Sequence, residues 1–336
     1  MSILCVDMGG SYVKAATLPE GCTLEDLRNT LVHVLPSEKF WNEHLPQQFN
    51  REIQDSLASK FEPCNALSVA ISGLVSGRDR YVYWRHRGLS ENVVDECGQT
   101  SNLPVCFEND ALTWTLGALK IQKMLGRDIQ FPCVGITLGT GVGVAFLRSE
   151  SDYVVVELSF VKRVFSRLYE LSRAQEQFDQ YDTNERHDTA NYSHCYLGKR
   201  FFTWIQKEFP SFMPEEVSSI YTLRVLAFLR DLNEFLGADL DVRDVTYIVG
   251  GQGCDQFVSS HSFELPVHVL NKGELSPLGI DPNTISLLGA LLRKDDATRA
   301  VPYPSYEEIT QGLVEINQRR EKKQEEQENK QEAATL

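Results

Sequence analysis

The chain lacks several features that would each have fixed its class. No run of about 18 apolar residues occurs, so no transmembrane helix or membrane partner is expected. The eight cysteines, at positions 5, 22, 64, 97, 106, 133, 195 and 254, form no Cys-x-x-Cys pair. Isolated thiols, several inside apolar stretches, fit reduced and buried side chains better than a disulfide frame or a zinc site, and imply a cytoplasmic compartment. Basic charge is scarce: 33 Lys and Arg against 47 Asp and Glu leave a net charge of −14. A phosphodiester partner needs clustered cations, so nucleic acid is not expected. ATP is still allowed, because local amides and a metal ion suffice to bind it. No basic, apolar leader is expected either, since a strand pattern begins at Ile3.

What the chain does have is 336 residues, 42% of them hydrophobic and 24% charged, enough for a substantial core and two domains. Three glycine-rich segments each close an apolar, β-like run: Asp7-Met8-Gly9-Gly10-Ser11, Gly139-Thr140-Gly141-Val142-Gly143 and Gly250-Gly251-Gln252-Gly253. Glycine lets bare backbone N–H groups converge on an anion. Three such loops, one bearing an aspartate, point to a nucleotide cleft.

The pattern along the chain is α/β. Ile3–Asp7 and Val13–Leu18 read as a hairpin around the first glycine turn. A helix is expected over Gln48–Phe61, strands over Leu67–Ile71 and Pro104–Phe107, and a helix over Ala111–Met124 with Asp110 as N-cap. Val134–Leu138 and Val142–Leu147 repeat the strand-turn-strand grammar of the N-terminus, which suggests two related halves. Residues 161–240 read as mostly helical around a polar interval from Gln175 to Asn191. Val245–Val249 is a further buried strand. Asp281-Pro282 reads as the start of a helix through Leu292, with Asp at the N-cap and Pro at the first helical position. Glu315–Leu336 is a charged tail, expected to be a solvated helix or extension; the sharper reading is a protein-interaction or secretion segment.

Two common nucleotide motifs are missing. No Gly-x-x-x-x-Gly-Lys-Ser/Thr string occurs, and Gly139, Gly141 and Gly143 are spaced Gly-x-Gly-x-Gly and run on into a strand, unlike a dinucleotide fingerprint. Val6-Asp7-Met8-Gly9-Gly10-Ser11-Tyr12-Val13-Lys14 instead resembles the first phosphate motif of the ROK family of sugar kinases, within the actin, hexokinase and Hsp70 superfamily. Phe107-Glu108-Asn109-Asp110-Ala111 resembles that family's Glu-Asn-Asp-Ala catalytic segment. Gly135–Gly143 resembles its second phosphate motif, Ile248-Val249-Gly250-Gly251 its adenosine motif, and Ser286–Leu291 its closing helix, in matching order.

The resemblance implies a two-lobed actin-like ATPase (ribonuclease H-like) fold with a nucleotide cleft between the lobes. Residues 1–112 would form the N-terminal lobe, completed by a helix over 282–295; residues 113–281 would form the C-terminal lobe, and 300–336 the tail. It implies ATP-dependent phosphorylation of a hexose or aminosugar hydroxyl. Asp110 would be the general base and Asp7 would hold Mg2+. Gly9, Gly10, Ser11 and Lys14, with Gly139, Thr140 and Gly141 opposite, would bind the phosphates. Gly250, Gly251 and Gln252 would line the adenosine pocket. Ser72, Gly73, Asn109, Asp110 and Glu157 would contact the sugar. A homodimer would fit the family.

One region departs from the family pattern. Where relatives carry Glu-x-Gly-His and a cysteine-rich zinc loop, this chain has Glu157-Leu158-Ser159-Phe160 and no Cys-x-Cys-Gly string. No structural zinc is expected, and His187 and His194 read as ordinary loop histidines. The loss leaves a second reading open, a catalytically inactive or repurposed sugar- or nucleotide-binding regulatory protein.

Overall fold

The computed structural model describes residues 1–9, 12–36, 64–76, 81–84, 88–90, 104–139, 141–149, 152–156, 197, 198, 201, 205, 207, 209–236, 245–251 and 267–293. The chain divides into a unit spanning Met1–Ala300 and a second spanning Val301–Leu336. Every described residue belongs to the first. The helix expected over 48–61, the polar interval 175–191 and the charged tail lie outside the described residues.

Strands β1 (Ser2–Met8) and β2 (Tyr12–Pro19) form the expected antiparallel hairpin, closed by the Gly9 N–H donating to the Tyr12 carbonyl at 3.1 Å. A short helix, α1 (Leu24–Asn29), follows, held at its start by a reciprocal capping box between Thr23 and Asp26. It leads to β3 (His33–Pro36), antiparallel to β2. Then comes β4 (Ala66–Ile71), parallel to β1. A separate antiparallel sheet of β5 (Leu74–Ser76), β6 (Tyr81–Trp84) and β7 (Gly88–Ser90) intervenes before β8 (Val105–Asn109), which lies parallel to β4. The first large sheet therefore has the order β3-β2-β1-β4-β8. Its central strand β1 is buried from Ile3 to Met8, on both faces, which is why Ile3–Val6 reads as an apolar run with no alternation.

The second large sheet repeats this plan. β9 (Cys133–Leu138), β10 (Val142–Leu147) and β11 (Tyr153–Val156) form an antiparallel meander. β12 (Thr246–Gly250) then pairs parallel with β9, and β13 (Val267–Leu270) parallel with β12. The order β11-β10-β9-β12-β13 matches the first sheet strand for strand and sense for sense. The echo between the two hairpins in the sequence is thus a repeat of a whole five-stranded sheet.

The α-helices that follow include α2 (Asp110–Met124), α3 (Pro214–Leu236), α4 (Lys272–Leu275) and α5 (Thr284–Arg293). Within the broad 161–240 region, α3 shares a core with the second sheet: Val217, Tyr221, Val225, Phe228 and Leu232 join Ile136, Leu138, Val144 and Tyr247. Helix α5 lies on the first sheet. Ser68 Oγ donates to the Ala290 carbonyl at 2.7 Å and Cys106 Sγ to the Arg293 carbonyl at 3.1 Å, so sheet side chains satisfy carbonyls near the end of this helix. Helix α2 leaves β8 of the first sheet but packs on β9 and β10 of the second.

α2 and α5 meet backbone to backbone. A Cβ added to Gly289 would overlap the Thr113 carbonyl. One added to Gly117 would overlap the Ile285 carbonyl and stand 3.0 Å from the Gly289 nitrogen. Two glycines therefore join the helix bound to one sheet to the helix bound to the other.

Both helix starts differ from expectation by a small, physically readable shift. Asn109, not Asp110, caps α2: its Oδ1 accepts the N–H groups of Ala111 (2.9 Å) and Leu112 (3.1 Å). The last helix begins at Thr284, not at Pro282. The Asp281 carboxylate accepts the Asn283 N–H at 2.9 Å, and Asp281-Pro282-Asn283 forms a turn that leads into it.

Candidate active site

The parallel strands of the first sheet end in register. Met8, Ile71 and Asn109 are aligned across β1, β4 and β8, so Asp7-Met8-Gly9, Ser72-Gly73 and Asn109-Asp110 leave one edge of the sheet side by side. The carboxyl edge of parallel strands is where open α/β sheets bind ligands. The second sheet does the same with Gly139, after β9, and Gly250-Gly251, at the end of β12; Thr137 is in register with Gly250. Gly251, at φ +102°, lies so close to β9 that a Cβ would come within 2.6 Å of the Leu138 carbonyl. Gly139 has nothing within 4 Å of where its Cβ would point, and its N–H donates to the Gly141 carbonyl at 2.9 Å. This hairpin is open on the outside and tied within.

Helix α2 connects the two edges. Ala111, one residue after Asp110, packs against Gly143, where an added Cβ would lie 2.9 Å from the alanine methyl. The ring of Trp114 covers Gly250, and the side chain of Thr115 fills the space beside Gly135. In the Asp7–Lys14 pair of the β1–β2 register, Lys14 Nζ lies 3.0 Å from Asp7 Oδ2, with Asp7 buried and Lys14 one-quarter exposed. The Lys14 pKa is raised, chiefly by the Asp7 charge, against the opposing effect of burial; the hydrogen bond to Asp7 and the charges of Asp110 and Asp281 raise it further. Asp7 and Asp110, 103 positions apart in the chain, thus act on the same ammonium group.

The start of α2 is held firmly. Besides capping the helix, Asn109 donates from Nδ2 to the Gly73 carbonyl at 2.7 Å, and Gly73 has φ +148°, a conformation that favours glycine. Asp110 Oδ1 accepts the Ala111 N–H at 2.8 Å. Glu108, which sequence reasoning left without a role, is buried: Oε1 accepts the Asn109 N–H at 2.9 Å, and Oε2 accepts from Arg293 Nε at 3.0 Å and from its terminal nitrogen at 2.6 Å. Arg293 also stacks over the Tyr153 ring, 5.1 Å from its centre. A glutamate directly after the apolar run Val105-Cys106-Phe107, within the same strand, was the available signal, since such a charge needs a partner.

Asp7, Gly9, Lys14, Ser72, Gly73, Asn109, Asp110, Gly139, Gly141, Gly250 and Gly251 are therefore described, and they stand along these two edges and the helix that links them. Gly10, Ser11, Thr140, Glu157 and Gln252 lie outside the described residues. Among the described residues no group of three His, Cys, Asp or Glu is arranged to hold a metal, and no helix is long and apolar enough to cross a membrane. Mg2+ does not require three protein ligands; it is commonly held by one or two carboxylates, waters and substrate phosphates. The buried, hard-oxygen carboxylate of Asp7 at a strand end fits that requirement.

Residues 3–151 match the model of the ROK family. No curated protein matches the chain. Among solved structures, the chain resembles the inorganic polyphosphate/ATP-glucomannokinase of Arthrobacter sp. strain KM at 16% identity, covering 88% of this chain and 98% of that one with a TM-score of 0.54. A ROK family glucokinase from Streptomyces griseus, in complex with glucose and AMPPNP, aligns at 15% identity over 87% and 98% of the two chains, with a TM-score of 0.52. Glucokinase from Balamuthia mandrillaris, in complex with glucose, gives 15%, 88% and 93%, and 0.54. The fold is the mixed α/β, two-sheet, actin-like fold of these kinases.

Proposed function

We propose that this chain, with ROK-family sequence over residues 3–151, is an ATP-dependent kinase acting on a hydroxyl of a hexose or aminosugar. The observation that carries the reading is that the Asp7–Lys14 pair and Asp110 leave the same carboxyl edge of the first sheet, with α2 running from Asp110 to the glycine hairpin of the second sheet. In this reading the first sheet with α5 forms the N-terminal lobe, and the second sheet the C-terminal lobe.

Phosphoryl transfer asks a protein mainly for positioning and charge stabilisation. Asp110 accepts the proton of the sugar hydroxyl as that oxygen bonds to the γ-phosphorus and the bond to the bridging oxygen of ADP breaks. It stands at the first turn of α2, where Asn109 and Gly73 fix the backbone that aims it. Gly9, Gly10 and Ser11 on one side and Gly139, Thr140 and Gly141 on the other offer N–H and hydroxyl groups to the phosphates, and Lys14 adds a cation. Mg2+, held at Asp7, would supply charge neutralisation to the phosphates. Gly250, Gly251 and Gln252 line the adenosine pocket. Ser72, Gly73 and Glu157 face the sugar, and the second Nδ2 hydrogen of Asn109 would be that residue's contribution to a sugar hydroxyl.

The test is ADP release across a panel of hexoses and aminosugars, for the wild type and Asp110→Asn. Sugar-dependent turnover that falls at least about a hundredfold in the variant, as expected when a general base is lost, supports the kinase. ATP binding with no ADP above the blank for any sugar would replace it with the regulatory, binding-only reading.

A further inference from the structure

We infer that Lys14 is a tethered counter-ion for Asp7: in the nucleotide-free protein its ammonium occupies the carboxylate face that a divalent cation needs, so the cation enters only together with nucleotide phosphates that draw Lys14 away. The inference rests on the reading of Asp7 as the metal-holding carboxylate.

The pairing follows from the hairpin register. The register of β1 and β2 sets Lys14 directly across from Asp7 with its side chain on the same face. Nζ lies 3.0 Å from Oδ2, and the carboxylate side chain is only 6% exposed. A carboxylate this deep in the sheet carries a desolvation cost unless it is paired, and Lys14 meets that need.

The surroundings give the pair its second state. Lys14 stands in the field of three carboxylates from three elements: Asp7 at the end of β1, Asp110 at the start of α2 and Asp281 in the turn before α5. With Lys14 in place, its ammonium offsets part of this negative field. Without it, an entering cation would meet no ammonium at Asp7. Triphosphate oxygens beside the Gly9 turn offer Lys14 an alternative anionic partner, and a lysine on a flexible four-carbon stem can move to it. Lys14 thus opposes binding of the metal alone and favours binding of the nucleotide. One side chain therefore acts on the two ligands with opposite sign.

That opposition defines the test. Mn2+ alone is titrated against the full-length protein by electron paramagnetic resonance, for the wild type, Lys14→Met, Lys14→Gln and Asp7→Asn/Lys14→Met. ATP affinity is measured in parallel. Removing the ammonium is expected to tighten Mn2+ binding at least about tenfold, because a full charge leaves a carboxylate in a low-dielectric setting, and to weaken ATP. The gain should vanish in the double variant. Lys14→Gln, which can still hydrogen-bond Asp7, serves if Lys14→Met does not fold. Unchanged or weaker Mn2+ binding in a folded neutral variant overturns the inference, as does a gain that survives loss of Asp7. The two readings fail separately. Tighter Mn2+ binding with no sugar-dependent ADP release would refute the kinase and leave the counter-ion standing; a wild type that turns over sugar, with neutral variants unchanged in Mn2+ affinity, would refute the counter-ion alone.

Discussion

Replacing Gly289 with alanine separates the structure from simple propensity. Glycine inside a helix is worse than alanine by about 1 kcal/mol, so a reading of α5 in isolation makes Gly289→Ala stabilising. In the fold, the new methyl would overlap the Thr113 carbonyl oxygen and lie 2.9 Å from the Thr113 Cα. Both atoms are backbone within α2, so no rotamer change relieves the clash and the two helices must separate. Overpacking of this kind costs about 1–3 kcal/mol and more where the backbone has to move. Taking the upper end of that range, because both atoms are backbone, the net expectation is a loss of about 2 kcal/mol after the propensity gain is subtracted. Gly117→Ala meets the Ile285 carbonyl and the Gly289 nitrogen at the same crossing. Once one methyl has pushed the helices apart, the second finds part of its space already made, so the double variant should lose less than the sum of the singles, by about 1 kcal/mol. Gly21, with nothing within 4 Å of its would-be Cβ, is the control, and Gly21→Ala should stay within about 0.5 kcal/mol of the wild type. Urea unfolding followed by circular dichroism measures all four. A Gly289→Ala protein as stable as the wild type, or two single losses that add fully, would refute close backbone contact between α2 and α5.

Two further outcomes follow from the buried charges. Glu108→Gln or Arg293→Met alone leaves its partner's charge uncompensated in a dry site and should cost about 3–5 kcal/mol, whereas replacing both should cost clearly less than the sum; additivity in a double-mutant cycle by urea unfolding would disprove the pairing. Burial, and then the charge of Arg127, lower the His268 pKa below its ordinary value of 6.5. The unfolded chain then binds the proton more readily than the folded one, so His268 removes stability as pH falls through about 6.5. His268→Gln should flatten unfolding free energy against pH between about 7 and 5.5, and an unchanged slope would refute the assignment.

How much of this was legible depends on whether the determinant is local. β1 and β2 could be read almost to the residue because an apolar run, a glycine turn and a second apolar run are contiguous. The same hairpin logic sets Asp7 across from Lys14 as soon as the turn is counted. Asn109 and Asp110 are both good capping residues, so sequence alone did not decide which would accept the Ala111 and Leu112 N–H groups; the structure gives that task to Asn109. α2 was legible as a helix but not in its packing. Leu112 is buried as its apolar character suggests, yet Leu116 and Leu119 are only half-buried, while Thr113, Thr115 and Gln122 are fully enclosed. The part-exposed positions Leu116, Leu119, Lys120, Lys123 and Met124 share one face; that face carries three apolar side chains while polar Thr113, Thr115 and Gln122 lie on the enclosed side, so the apolar period is lost. The Glu108–Arg293 pair spans 185 positions. No local pattern encodes a partner at that distance, although a lone glutamate in an apolar strand announces that one is needed.

The matching strand orders explain why the Asn109–Asp110 segment needs such support. Each sheet presents its loops at the carboxyl edge of its parallel strands, but Asp110 leaves the first sheet on a helix that packs against the second. Its position is therefore a compromise between two frameworks. On the first-sheet side it is fixed by Asn109 to Gly73 and by Glu108 to Arg293, at the end of α5. On the second-sheet side it is fixed by Ala111 at Gly143 and Trp114 at Gly250. A rotation of one sheet against the other that preserved all these contacts would have to be taken up where α2 and α5 meet, at Gly117 and Gly289. Bare backbone can slide there with the least steric penalty. The same two glycines that make the crossing intolerant of a methyl also make it the joint at which closure around a nucleotide would be least costly.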